Sequence, residues 1–129
     1  MLDSIYPMLT ELKTKLADID GVKTCKIGLE QGIAHEDYPI LRIVPQDISE
    51  GGSYTRRKTN VLVYFGMPID ESTDGLESVY SQLLTMEAAI VAASKIFGDG
   101  WRSKYLSTIT DEDRVEVYKL MAVRLEIEG

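Results

Sequence analysis

From Val115 to Glu128 the apolar residues return at every second position. Val115, Val117, Met121, Val123, Leu125 and Ile127 share one face, interrupted only by Lys119, while Glu116, Tyr118, Arg124, Glu126 and Glu128 occupy the other. A period of two predicts a long strand with one buried and one solvated face. Such a strand must be lodged in a sheet, because alone or at an edge it would offer a row of unpaired N–H and C=O groups to a neighbouring chain. At the other end of the chain the period changes. Leu2, Ile5, Leu9, Leu12, Leu16 and Ile19 alternate spacings of three and four, the stripe of an amphipathic helix. Ser4 suits its N-cap, Pro7 is tolerated in the first turn, and Asp20-Gly21 stops it.

Three strand-like runs follow, over 23–29, 40–44 and 58–67. In the third, Thr59, Val61, Val63, Phe65 and Met67 share a face, with Lys58, Asn60, Leu62 and Tyr64 behind them. Apolar groups on both sides predict a central place in the sheet. Between the second and third runs, Gln46 to Arg57 (QDISEGGSYTRR) is longer than a hairpin needs and carries Gly51-Gly52 at its middle. It is expected to be a projecting loop, mobile or ordered only by a neighbouring subunit, with Tyr54 and Arg56 making the contact. Pro68 to Asp74 forms a second long turn. Asp74 and Glu77 are placed to cap a main helix whose buried stripe is Leu76, Val79, Leu83, Met86, Ile90 and Phe97. Ala88, Ala89, Ala92 and Ala93 are expected to allow close packing on a sheet, and Gly98 to end the helix. A strand from Lys104 to Ile109 should then turn through Asp111-Glu112-Asp113 into the final strand. The predicted order is α-β-β-β-α-β-β: an α+β domain over residues 1–129, with consecutive strands antiparallel and both helices on one face.

Composition narrows the function. The 129 residues suffice for one core, and no apolar run approaches the roughly 20 residues of a membrane span. The N-terminus lacks the pattern of a secretory signal, so a cytoplasmic setting is expected. With 14 basic against 21 acidic residues, net charge −7, the chain as a whole repels nucleic acid, and any association with DNA would be containment rather than grip.

Candidate chemistry is sparse. The lone Cys25 and the lone His35 are far apart in sequence and form no nucleophile–base constellation, so Cys25 reads as a small apolar group on the first strand. The carboxylates at Glu36-Asp37, at Asp70, Glu71 and Asp74, and at Asp111-Glu112-Asp113 match no calcium or zinc spacing. They read as charged turns. Glu50-Gly51-Gly52-Ser53 lacks the lysine and the following helix of a phosphate loop. No catalytic residue, metal ligand or cofactor site is therefore expected. Arg56-Arg57-Lys58 is the only basic run, and beside Tyr54 it admits either a nucleic-acid contact or a solvated strand start. Trp101, next to Arg102, is either a partner-binding anchor or a plug at the end of the core.

Taken together, an N-terminal helix, the Glu36-Asp37-Tyr38-Pro39 step opening the strand Ile40-Leu41-Arg42-Ile43-Val44, a loop bearing Glu50 and glycines, the long strand to Met67, Pro68 with a polar turn, a long helix and a closing strand pair resemble the tail terminator (tail completion) proteins of long-tailed bacteriophages and prophages. The resemblance covers nearly the whole chain, except the stretch around Trp101. It implies a non-enzymatic virion tail protein assembled in the host cytoplasm. Copies would form a hexameric ring on the last ring of tail tube protein, stop its polymerisation, and offer a surface to a head completion protein while DNA passes through without specific binding. Under that reading the partner-binding residues are Glu50, Gly51, Gly52, Tyr54, Arg56, Arg57 and Trp101. Two other roles fit the same scaffold: a head-side connector, and a small metabolite-binding or regulatory domain, which requires a concave apolar pocket with a few convergent polar groups. An enzyme would require a perturbed carboxylate pair inside a closed cleft.

Overall fold

The computed structural model describes residues 4–29, 35–52, 56–68, 75–95, 101–114 and 118–129. Helix α1 (Tyr6–Ala17) follows the predicted stripe: Met8, Leu9, Leu12 and Leu16 are buried, with Pro7 in the first turn and Lys15 in the last. Ser4 accepts a hydrogen bond on Oγ from the Tyr6 N–H at 3.1 Å, but Ile5 takes the capping position. The turn after the helix closes through Gly21, whose φ of 92° is a conformation that favours glycine. Next come β1 (Thr24–Ile27), a single 3₁₀ turn at His35–Asp37, β2 (Ile40–Glu50) and β3 (Arg57–Pro68), then α2 (Gly75–Ser94), β4 (Arg102–Arg114) and β5 (Tyr118–Glu128). This is the α+β order that the sequence predicts.

The five strands form one sheet in the order β1-β2-β3-β5-β4. β3 and β5 are interior, as their patterns require. Every pairing is antiparallel except that of β1 with β2, which is parallel, with Thr24 opposite Ile40 and Ile27 opposite Ile43. The expectation of antiparallel neighbours throughout fails here for a physical reason. Residues 28–39 are enough chain to return to the same end of the sheet, which a parallel pair needs and a tight turn cannot provide. The Tyr38–Pro39 peptide is cis, and the Pro39 carbonyl accepts from the N–H groups of Lys23 at 2.9 Å and Thr24 at 3.4 Å.

One core lies between the helices and a single face of the sheet. Leu41, Ile43, Val61, Val63, Phe65, Met121, Val123, Leu125 and Ile127 meet the α1 stripe and Val79, Leu83, Met86 and Ile90 of α2. Each such fully buried side chain contributes about 1.5–3 kcal/mol. The alanines of α2 do less than expected: Ala88 and Ala92 are exposed, and Ala89 and Ala93 only half-buried. Larger side chains three and four residues apart fill the seam instead.

Two boundary expectations are corrected. The segment read as a loop from Gln46 to Arg57 is mostly ladder, because β2 runs on to Glu50 and pairs with β3 through Asp47–Asn60, Ile48–Thr59, Ser49–Lys58 and Glu50–Arg57. Pro45 is accommodated by a register shift before Asp47, the usual place for proline in a sheet. Asp47 fastens the strand further: its carboxylate accepts from the Asn60 amide at 2.8 Å and its carbonyl from the Thr59 hydroxyl at 2.8 Å. Asp111-Glu112-Asp113, read as a turn, lies within β4, whose ladder shifts between Ile109 and Asp113 and again between Tyr105 and Ser107. The predicted contributions of Leu2, Asp74, Phe97, Gly98, Val115, Glu116 and Val117 fall outside the described residues, as do the side chains of Leu76 and Lys119.

Candidate functional site

The sheet brings most of the predicted contact residues to one end. β2 finishes there at Glu50, β3 starts at Arg57, β5 ends at Glu128, and β4 begins at Arg102 directly after Trp101. Gly51 donates its N–H to the Arg56 carbonyl at 2.9 Å, closing the hairpin, and Arg57 and Gly129 exchange two backbone hydrogen bonds at 2.9 and 3.0 Å that carry the ladder to the last residue.

Glu128 is the centre of this end. Its carboxylate oxygen Oε1 lies 3.2 Å from Arg102 Nη2 and 3.7 Å from Arg56 Nη1, and its side chain is only 16 % exposed. A hydrogen bond from the Gly52 backbone, followed by the charges of Arg102 and Arg56, holds the carboxyl below its ordinary range against the opposing effect of burial. The glycines are there for closeness of approach. A Cβ on Gly51 would stand 2.9 Å from both Arg56 Cβ and Glu128 Cδ, and one on Gly52 would stand 3.4 Å from Glu128 Oε1. Gly51, Gly52 and Arg56 are therefore engaged with the chain's own last strand. The expectation of a loop ordered only by a neighbour is corrected accordingly, and Tyr54, its proposed contact, lies outside the described residues. Glu50 is exposed beside the group and Arg57 half-buried within it.

Trp101 is half-buried and packs against the core, which favours its reading as a plug at the end of the core. Sequence reasoning missed Glu128 and Arg102, since a charged residue at the end of a strand gives no sign that a hairpin tip folds against it.

Two strips at this end of the sheet have no strand beyond them among the described residues. β1 covers only the first four residues of β2, so from Val44 onward β2 is itself an edge, and Gln46 to Glu50 are all exposed, Ile48 by 47 %. The opposite edge is β4, where Tyr105, Leu106 and Ile109 are exposed by 36–38 %.

The remaining chemistry is quiet. Cys25 sits on β1, half-buried, its thiol pushed up by burial while Lys13 and Arg42 pull in the other direction. That is the reverse of an activated nucleophile. Among the described residues no three side chains converge as metal ligands, and no helix is long and apolar enough to cross a membrane. A cleft of about 530 Å³ opens between the C-terminal end of α1 and the side of α2, floored by Ile19, Pro39, Met67 and Met86 and rimmed by Asp18 and Asp20. No protein-family model and no curated protein matches the chain.

Proposed function

We propose that this chain is an assembly subunit of the tail terminator type. Copies join into a ring that caps the tail tube, halts its growth and presents a surface to the head completion protein, while DNA passes through the bore. The observation that carries this reading is the pair of sheet edges, the distal half of β2 and the length of β4, that have no strand beyond them among the described residues and lie on opposite sides of one sheet. Two different contact strips on opposite sides of a subunit are what head-to-tail association needs, and such contacts close into rings when the rotation permits. The net charge of −7 suits a wall that DNA passes without sticking. Sedimentation and native mass spectrometry over a concentration series, alone and with isolated tail tubes, test the proposal. Ring-sized species or binding to tube ends are expected. A protein that stays monomeric at high concentration and ignores tail tubes refutes it. Co-purification with filled heads instead of tails would move it to the head side of the joint.

The α1–α2 cleft favours one second reading, a small-molecule-binding domain, since its size and its apolar floor with a polar rim suit a ligand. Thermal stabilisation by a metabolite panel, with no self-association, would select that reading.

A further inference from the structure

We infer that the two edges are made for each other: in the assembled form, Arg102–Lys104 of one copy pairs antiparallel with Asp47–Ser49 of the next, continuing the sheet from subunit to subunit. The inference rests on the ring-forming reading above and names the seam.

Three features of the edges argue for it. The first is length. Register shifts at Gln46 in β2 and at Leu106 in β4 limit clean pairing to Asp47–Glu50 on one edge and Arg102–Tyr105 on the other, two stretches of equal length at the same end of the sheet. The second is direction and register. β2 and β4 run oppositely, so a neighbour added in the same orientation presents an antiparallel partner. The rows of the sheet already align: Asp47, Asn60, Glu126 and Lys104 form one, and Ile48, Thr59, Ile127 and Ser103 the next. Continued across the seam, the first row sets Lys104 beside the neighbour's Asp47. The second sets the neighbour's exposed Ile48 on the face that carries Tyr105.

The third feature is charge. The β2 strip carries Asp47 and Glu50, and the β4 strip Lys104 and Arg102, the last also paired with Glu128 of its own chain. Each edge thus repels a copy of itself and attracts the other, which disfavours two-fold pairing and favours head-to-tail addition. Burial of Ile48, Tyr105 and Leu106 supplies the apolar part of the contact.

Cysteine cross-linking tests the seam. Asp47→Cys and Lys104→Cys are made separately on a Cys25→Ser chain, and each fold is checked by thermal melting. Mixed and oxidised, the two variants should give a disulfide-linked dimer that neither gives alone. The corresponding double variant should give a ladder ending at the ring. In parallel, Lys104→Asp or Asp47→Lys alone should weaken association by about tenfold, and mixing the two reversed variants should restore it between them.

Cross-links of equal yield in the single variants, or none in the mixture with or without tail tubes, overturn the seam. Tubes still capped by rings that do not cross-link would overturn the seam and leave the assembly function standing. A seam that cross-links in a protein indifferent to tail tubes would do the opposite.

Discussion

Arg42 sets a sharp test of how β1 is held. It is fully buried on the sheet face away from the main core, and one nitrogen, Nη1, donates to the Leu41 carbonyl at 2.8 Å, the Thr24 hydroxyl at 3.0 Å and the Thr24 carbonyl at 3.1 Å. The Thr24 hydroxyl in turn donates to the Asp37 carbonyl at 2.8 Å, so the guanidinium ties β1, β2 and the 3₁₀ turn together. Arg42→Ala would strip a charged donor from these acceptors. A buried acceptor left without its donor costs about 1–3 kcal/mol. The Thr24 hydroxyl can turn to another partner and one nitrogen serves all three bonds, so the terms do not add in full. A destabilisation of about 2–4 kcal/mol follows, a large part of the roughly 5–15 kcal/mol that holds a domain of this kind. Urea unfolding followed by circular dichroism gives the number, with an unchanged slope showing that the unfolding unit is the same. Arg42→Lys should recover only part of the loss, because a compact, strongly hydrated ammonium costs more to bury than a guanidinium. Hydrogen exchange should quicken first at Lys23, Thr24 and Gly28, whose N–H groups fasten β1 to β2 and its approach. A loss below about 0.5 kcal/mol, the ordinary cost of a surface substitution, would refute the reasoning.

Three further outcomes are expected. Leu83, fully buried on α2 against the sheet, should cost about 2–5 kcal/mol as Leu83→Ala in the same assay. The folded-state carboxyl of Glu128 lies below its ordinary value of 4.5. Its contribution to stability is therefore present above that value and lost as pH falls through the lowered one; Glu128→Gln should flatten the melting temperature between pH 5 and 2 relative to the parent, as read by calorimetry at about these two limits. Gly51→Ala should destabilise more than Gly52→Ala, since its new Cβ would meet Arg56 and Glu128 at 2.9 Å rather than Glu128 alone at 3.4 Å; equal melting points would contradict the account of the clasp.

The parts of the fold that were legible in the sequence are those where burial alternates. Phe65, Val63 and Val61 on β3 and Met121 to Ile127 on β5 face a core on one side, so solvent and core write a period of two into the chain. The continuation of β2 was not legible for the same reason. From Gln46 to Glu50 that strand is an exposed edge held by its ladder and by Asp47, and it carries no buried side chain. Nor could spacing disclose that β1 returns parallel, because the length of residues 28–39 permits a crossover without requiring one. Gly51-Gly52 announced a site of backbone freedom, but the partner that explains it, Glu128, arrives from the far end of the chain through the order of the sheet. The clasp is a product of topology. The complementary charges of the two edges, Asp47 and Glu50 against Arg102 and Lys104, are visible in the sequence only once that topology is known.

The most direct test of the proposed role is the length of tail tubes. Tube subunits polymerised in the presence of increasing amounts of this protein, imaged by electron microscopy, should give progressively shorter tubes, each with one end closed by a ring and inert to further addition. A length distribution that does not change at saturating protein, with both ends still able to grow, would contradict the assignment.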